Sequence, residues 1–356
     1  MNKKITVFLL SSTLTLGGLS TAFSPIDVEA SSSKEVPKHQ HSVYDGKKFD
    51  KKDQLDKDSK DSILERGNLK KFKDAYTEVE GHSIHYKIYN DNKKTDKTYI
   101  ISHGATATLE TTKIYASALA EKQPNAKIIL VNLPIHGKST SETFMIEDIS
   151  IDAYAEIMKA FIDKKRADKT IQGELNWSGW SMGGSIGLQL DLMGAGFEEL
   201  TLINSGPYWA PIGGLAASMG FEKYSPEITA AIMAGNYQTE FAYGLSDKDK
   251  VSLLAELDKF SSLSEVGAAD FNAILPSVFD LRDQLSNVKA KTLILSGTND
   301  ALVELQYQEL MDEKIVDSKF VLLEDGHAML MKPVLAKQMV EEVDSFFGNG
   351  KKNKGD

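Results

Sequence analysis

Short apolar runs recur along this chain from residue 76 onward, each followed by a longer stretch with helical spacing. Residues 76–79 and 84–89 alternate apolar and polar positions on either side of Glu80-Gly81-His82, which predicts a hairpin. Further runs at 98–102, 126–133, 175–180, 199–204, 291–296 and 319–323 predict strands. Between them, 112–121, 149–166, 183–192, 302–312 and 333–347 place apolar residues at the helical period. Strands that alternate with helices predict an α/β fold: a mostly parallel twisted sheet with helices on both faces.

The rhythm breaks between residues 204 and 291, where helical patterning at 226–233, 246–260 and 268–279 has no strand between its parts. A long insertion at a strand end, where open sheets bind ligands, predicts a helical lid over about 206–286. The α/β domain is expected to span 75–348, with a polar tail at 349–356. Before it, 31–74 is charge-dense and poor in apolar residues. That stretch predicts a flexible spacer with a short helix near 62–71.

Residues 1–30 have the parts of a secretory signal. Lys3 and Lys4 give a positive start, an apolar stretch runs to Phe23, and Val28-Glu29-Ala30 precedes Ser31 as a small-x-small cleavage site. Gly17, Gly18 and several hydroxyl residues interrupt the stretch, so it is a poor membrane span. No other segment has the apolar length to cross a bilayer, so no stable span is expected once the signal is removed. The 356 residues contain no cysteine, which excludes a disulfide framework, a thiol nucleophile and a lipidated cysteine. A secreted chain of this kind fits a bacterial exporter. The net charge of -10 argues against a nucleic-acid partner.

The strongest chemical signal is Gly179-Trp180-Ser181-Met182-Gly183, placed after an apolar run and before a helical one. A nucleophile on a sharp strand-to-helix turn needs small neighbours two positions away on each side, so that strand and helix can approach. Serine also needs a base, and the base needs a carboxylate to orient it. Of the seven histidines only His327, in Glu324-Asp325-Gly326-His327, follows the serine. Asp300, at the end of Ser296-Gly297-Thr298-Asn299-Asp300, is the expected acid, with Glu304 and Asp325 as alternatives. The N–H groups of Met182 and of Ala105, in the loop His103-Gly104-Ala105, are the expected oxyanion donors. His103 is expected to organise that loop. Tyr208 and Trp209 follow a strand end and, with Trp180, are the expected substrate contacts.

Taken together, these motifs resemble the α/β-hydrolase family over about 76–347. The resemblance also takes in Asn132-Leu133-Pro134-Ile135-His136-Gly137-Lys138-Ser139, where Asn132 and Ile135 replace an acid and a glycine common in relatives. Trp180 replaces a histidine common before the nucleophile; tryptophan occurs there in several carboxylesterases and some bacterial polyester depolymerases. Ser181 argues against epoxide hydrolases and haloalkane dehalogenases, which use aspartate. The resemblance implies hydrolysis of a small-molecule ester or related acyl bond, of carboxylesterase or lipase type, with no cofactor; no metal is expected either, because the chain has no His-x-x-x-His or paired-cysteine cluster. Two alternatives are an acyltransferase, peptidase or C–C bond hydrolase on the same residues, and a non-catalytic binding protein that keeps the fold.

Overall fold

The computed structural model describes residues 40–43, 69–105, 107–143, 148–208, 279–300 and 302–348. Its sheet has ten strands: β1 (Gln40–Val43), β2 (Lys73–Val79), β3 (His82–Tyr89), β4 (Lys97–Ser102), β5 (Lys127–Val131), β6 (Thr140–Ser141), β7 (Glu174–Trp180), β8 (Glu199–Ile203), β9 (Lys291–Gly297) and β10 (Ser318–Leu323). Their order across the sheet is β1-β10-β9-β8-β7-β4-β5-β3-β2, with β6 against β3. Pairs from β1 to β5 are parallel, while β3 runs antiparallel to β5, β2 and β6. The predicted hairpin is β2–β3. It turns through Glu80 and Gly81, which both hold positive φ (50° and 86°), the backbone that a tight hairpin turn requires.

The main helices among the described residues are α1 (Lys113–Lys122), α2 (Ile151–Ala167), α3 (Met182–Leu192), α4 (Leu305–Lys314) and α5 (Pro333–Gly348). Local chemistry sets their ends. Ser150 Oγ accepts the Ala153 N–H at 3.0 Å to cap α2, whose last turn holds Lys164, Lys165 and Arg166 against the helix dipole. Pro333 opens α5, at the one helical position where a missing N–H costs nothing.

The core lies in two layers. Alternate residues of β5 serve each: Ile129 and Val131 pack with α2 and α3 residues such as Phe161 and Ile186, while Ile128 and Leu130 pack with Tyr115, Met339 and Val343 of α1 and α5. All five β5 residues are buried, as in a parallel strand covered on both faces. Each such aliphatic side chain contributes roughly 1.5–3 kcal/mol.

Two expected boundaries move. Within 31–74, four residues form β1 against β10, Phe72 is buried, and Lys73 and Asp74 already belong to β2. Backbone pairing to an existing edge orders Gln40–Val43 without any apolar run. At the other site, Phe279, Leu281 and Leu285 are core residues, so the expected lid of 206–286 is too long at its C-terminal side. The Leu281 N–H donates to the Pro207 carbonyl at 2.9 Å, joining the two ends of that insertion. The body of the insertion (209–278), the signal segment, the expected helix near 62–71 and the polar tail lie outside the described residues. No helix among the described residues is long and apolar enough to cross a membrane.

Candidate active site

Parallel register brings five strand ends into line. Ser102 of β4 sits opposite Gly179 of β7, Trp180 opposite Ile203 of β8, Ile203 opposite Leu295 of β9, and Gly297 opposite Leu323 of β10. The residues singled out in the sequence therefore leave the sheet at one edge, in neighbouring loops.

Ser181 stands between β7 and α3 with φ 56° and ψ -125°, a strained conformation for a residue with a side chain. Its N–H is held by the Ile203 carbonyl at 2.9 Å. A Cβ on Gly179 would lie 2.2 Å from the Gly183 carbonyl oxygen, and one on Gly183 would lie 2.5 Å from that of His103. No residue but glycine fits at either position, which is the physical content of the motif. Met182 is the first residue of α3, whose opening N–H groups have no partner within the helix.

His327 lies within hydrogen-bond distance of Ser181, and Asp300 within that of His327. Asp300 Oδ2 accepts the His327 Nδ1–H at 2.9 Å, which leaves Nε2 as the acceptor for the Ser181 hydroxyl, also at 2.9 Å. The Asp300 and His327 side chains are almost fully buried. Asp300 Oδ1 accepts N–H groups from Leu302 (2.9 Å) and Val303 (3.0 Å), so its carboxylate is fixed on both sides. The two alternative acids are occupied elsewhere. Glu304 precedes α4, and Asp325 is ion-paired with Lys332 at 2.5 and 2.7 Å. Burial pushes the Asp325 carboxyl up, against the lowering effect of Lys332.

The loop after β4 packs on the nucleophile, since a Cβ on Gly104 would lie 2.9 Å from that of Ser181. His103 organises it. The Leu133 N–H donates to His103 Nε2 at 3.1 Å, so Nδ1 carries the proton and donates to the Gly104 carbonyl at 2.7 Å. The His136 ring packs on His103, with centroids 5.0 Å apart. Ala105 follows Gly104 and is buried; Thr106 lies outside the described residues.

The expected substrate contacts fare differently. Trp180 is 2% exposed and faces the α1/α5 layer, and its indole N–H donates to the His327 carbonyl at 2.9 Å. It braces the base. The alternation of β7 explains this, because Trp180 shares the sheet face of Ser178 and Asn176. Tyr208 lies between Tyr307 (centroids 5.0 Å) and the Arg282 guanidinium, 3.8 Å above its ring. These contacts tie it to the neck of the insertion. Trp209 lies outside the described residues.

Sequence reasoning missed three contributors. Asn204 follows β8, Lys332 pairs with Asp325, and Asn132 bridges from His85 Nδ1 (2.9 Å) to the Leu109 N–H (2.8 Å) behind the β4 loop. Asn204 and Lys332 lie in no motif, and Asn132 opens the motif after the fourth strand. The only hint is that Asn132 stands where relatives carry an acid. Among the described residues no group of three or more His, Asp or Glu side chains converges to hold a metal ion.

No protein-family model matches the chain, and no curated protein matches it. Solved structures do. The enol-lactonase from Burkholderia xenovorans LB400 is 19% identical over 77% of this chain and all of its own, with a TM-score of 0.59. A lipase-esterase related protein from Clostridium acetobutylicum is 21% identical over 74% of this chain and 99% of its own (TM-score 0.56). A thermophilic esterase from Thermogutta terrifontis is 17% identical over 78% and 98% (TM-score 0.58).

Proposed function

We propose that this chain, which has the α/β-hydrolase fold, is a secreted serine hydrolase. It would cleave a small-molecule carboxylic ester, in the manner of a carboxylesterase or lipase, through an acyl-enzyme. One observation carries the reading: Ser181 Oγ, His327 and Asp300 form a hydrogen-bonded chain, with 2.9 Å at each link, on a strained strand-to-helix turn.

The chemistry follows from that chain. Ser181 Oγ bonds to the acyl carbon as its proton passes to His327 Nε2, and Asp300 stabilises the imidazolium through Nδ1–H. The N–H groups of Met182 and Ala105 would hold the carbonyl oxygen as it gains charge. His327 then protonates the departing alkoxide as the ester C–O bond breaks. Water, deprotonated by the same nitrogen, bonds to the acyl carbon; the bond to Ser181 Oγ then breaks, Oγ takes the proton back from Nε2, and the acid leaves. Ester chemistry is supported by the names of the similar structures, two esterase-related and one a lactonase. Secretion is supported by the signal-like residues 1–30, and the expected mature N-terminus is Ser31.

Hydrolysis of p-nitrophenyl esters from acetate to long acyl chains, by wild type and Ser181→Ala, tests the reading. Turnover that vanishes in the variant is expected. Equal turnover in both, or none in a folded wild type across the series, would overturn it.

A further inference from the structure

We propose that Asn204 is a positioning residue that sets the acid and the base of the site in register; this rests on the reading of Ser181, His327 and Asp300 above. Asn204 is fully buried and lies one residue past β8. Its Oδ1 accepts the Gly297 N–H at 2.7 Å, at the start of the turn that carries Asp300. Its Nδ2 donates to the His327 carbonyl at 2.8 Å and to the Gly326 carbonyl at 3.1 Å. One side-chain amide thus ties the end of β8 to both loops that must meet.

The rest of the geometry makes this junction specific. The Asn204 backbone N–H donates to the Leu295 carbonyl at 2.8 Å, and φ is 45°, in the left-handed region that asparagine tolerates better than most residues. The His327 carbonyl receives a second donor, the Trp180 indole, from the nucleophile turn. The base is therefore pinned on one side to the turn of Ser181 and on the other, through Asn204, to the turn of Asp300. Nδ2 must donate and Oδ1 must accept, so the amide cannot be replaced by a carboxylate. Ionised, that group would set an oxygen against two carbonyls. Asn204 itself needs no contact with substrate, so its effect belongs in kcat.

Two variants test the assignment, each checked for folding by thermal denaturation, with the wild type checked for a competent nucleophile by fluorophosphonate labelling. Asn204→Gly keeps the positive φ and removes only the side-chain bonds. The expected result is kcat for a p-nitrophenyl ester down roughly 10–100-fold with KM within about twofold, the size of loss that small misplacements cause. Asn204→Asp is expected to work only while its carboxyl is protonated, because the neutral group can donate one hydrogen to the His327 carbonyl and accept from Gly297. Burial raises the carboxyl pKa, so activity should fall as pH rises through that value, giving an alkaline limb the wild type lacks. A merely structural role would lower activity alike at every pH. Asn204→Gly with wild-type kcat, or Asn204→Asp with a wild-type pH profile, would overturn the proposal. A folded wild type that neither hydrolyses esters nor labels at Ser181 would instead remove the reading on which it rests.

Discussion

Replacing Lys332 by methionine should destabilise the protein in a way that depends on pH. Lys332 and Asp325 form an ion pair at 2.5 and 2.7 Å with both side chains only 8% exposed. Methionine nearly conserves the volume of the lysine stem but leaves Asp325 buried with one remaining donor, the Gly326 N–H at 2.7 Å. Breaking a buried pair from one side costs about 3–5 kcal/mol near neutral pH. For a domain of this size that is a fall in Tm of roughly 6–20 °C. The sign with pH follows from the carboxyl. Burial already raises its folded-state pKa above 3.8, and losing Lys332 removes the strongest influence that lowers it. A raised folded pKa means stability is present below the unfolded value and lost as pH rises through the folded one. The deficit of Lys332→Met should therefore be small near pH 4 and grow toward pH 8. Urea denaturation of wild type, Lys332→Met and Asp325→Asn/Lys332→Met at both pH values measures it. The double variant, with no buried charge left, should recover most of the loss. A deficit below about 1 kcal/mol at pH 8, an equal deficit at both pH values, or a double variant no better than the single would show that the buried charge of Asp325 does not depend on Lys332.

Two further outcomes follow from named contacts. Asp300→Asn should leave stability nearly unchanged, because its Oδ1 can still accept from Leu302 and Val303. Its amide would donate to His327 Nδ1, move the ring proton to Nε2 and lower kcat by about 10³–10⁴, as steady-state kinetics would report. At the sheet's other side, burial holds the His85 imidazole below its usual range, and the His85 hydrogen bond holds Asp74 below its own. Lowered values mean stability is present above the unfolded pKa and lost in acid as pH falls through each folded value. Lys87 and Lys138 also face this pair. His85→Phe should make the Tm of the protein less sensitive to pH below about 6.5, as thermal melts across pH 4–8 would show.

What could be read from the chain depended on whether the signal was local. Ile128-Ile129-Leu130-Val131 announces a strand because both of its faces are buried, whatever its neighbours. Ser181 announces itself because Gly179 and Gly183 leave no room for a Cβ. Asp300 and His327 were legible through chain order and strand ends alone. Gln40–Val43 was not, because its order comes from backbone pairing with β10 and its sequence has no apolar run. Asn204 and Lys332 act only through partners distant in sequence or hidden in the fold, so nothing local marks them. Trp180 stood in the motif in plain view, yet its direction depends on the face of β7 it occupies, and that face looks toward the core layer of α1 and α5.

On the proposed reading, Ser181 is the activated nucleophile. Incubating the folded full chain with a fluorophosphonate and mapping the adduct by peptide mass spectrometry tests it most directly. One adduct is expected, on Ser181, absent from Ser181→Ala and formed far more slowly in His327→Ala. A folded protein left unmodified, or modified at another residue with Ser181 untouched, would contradict it.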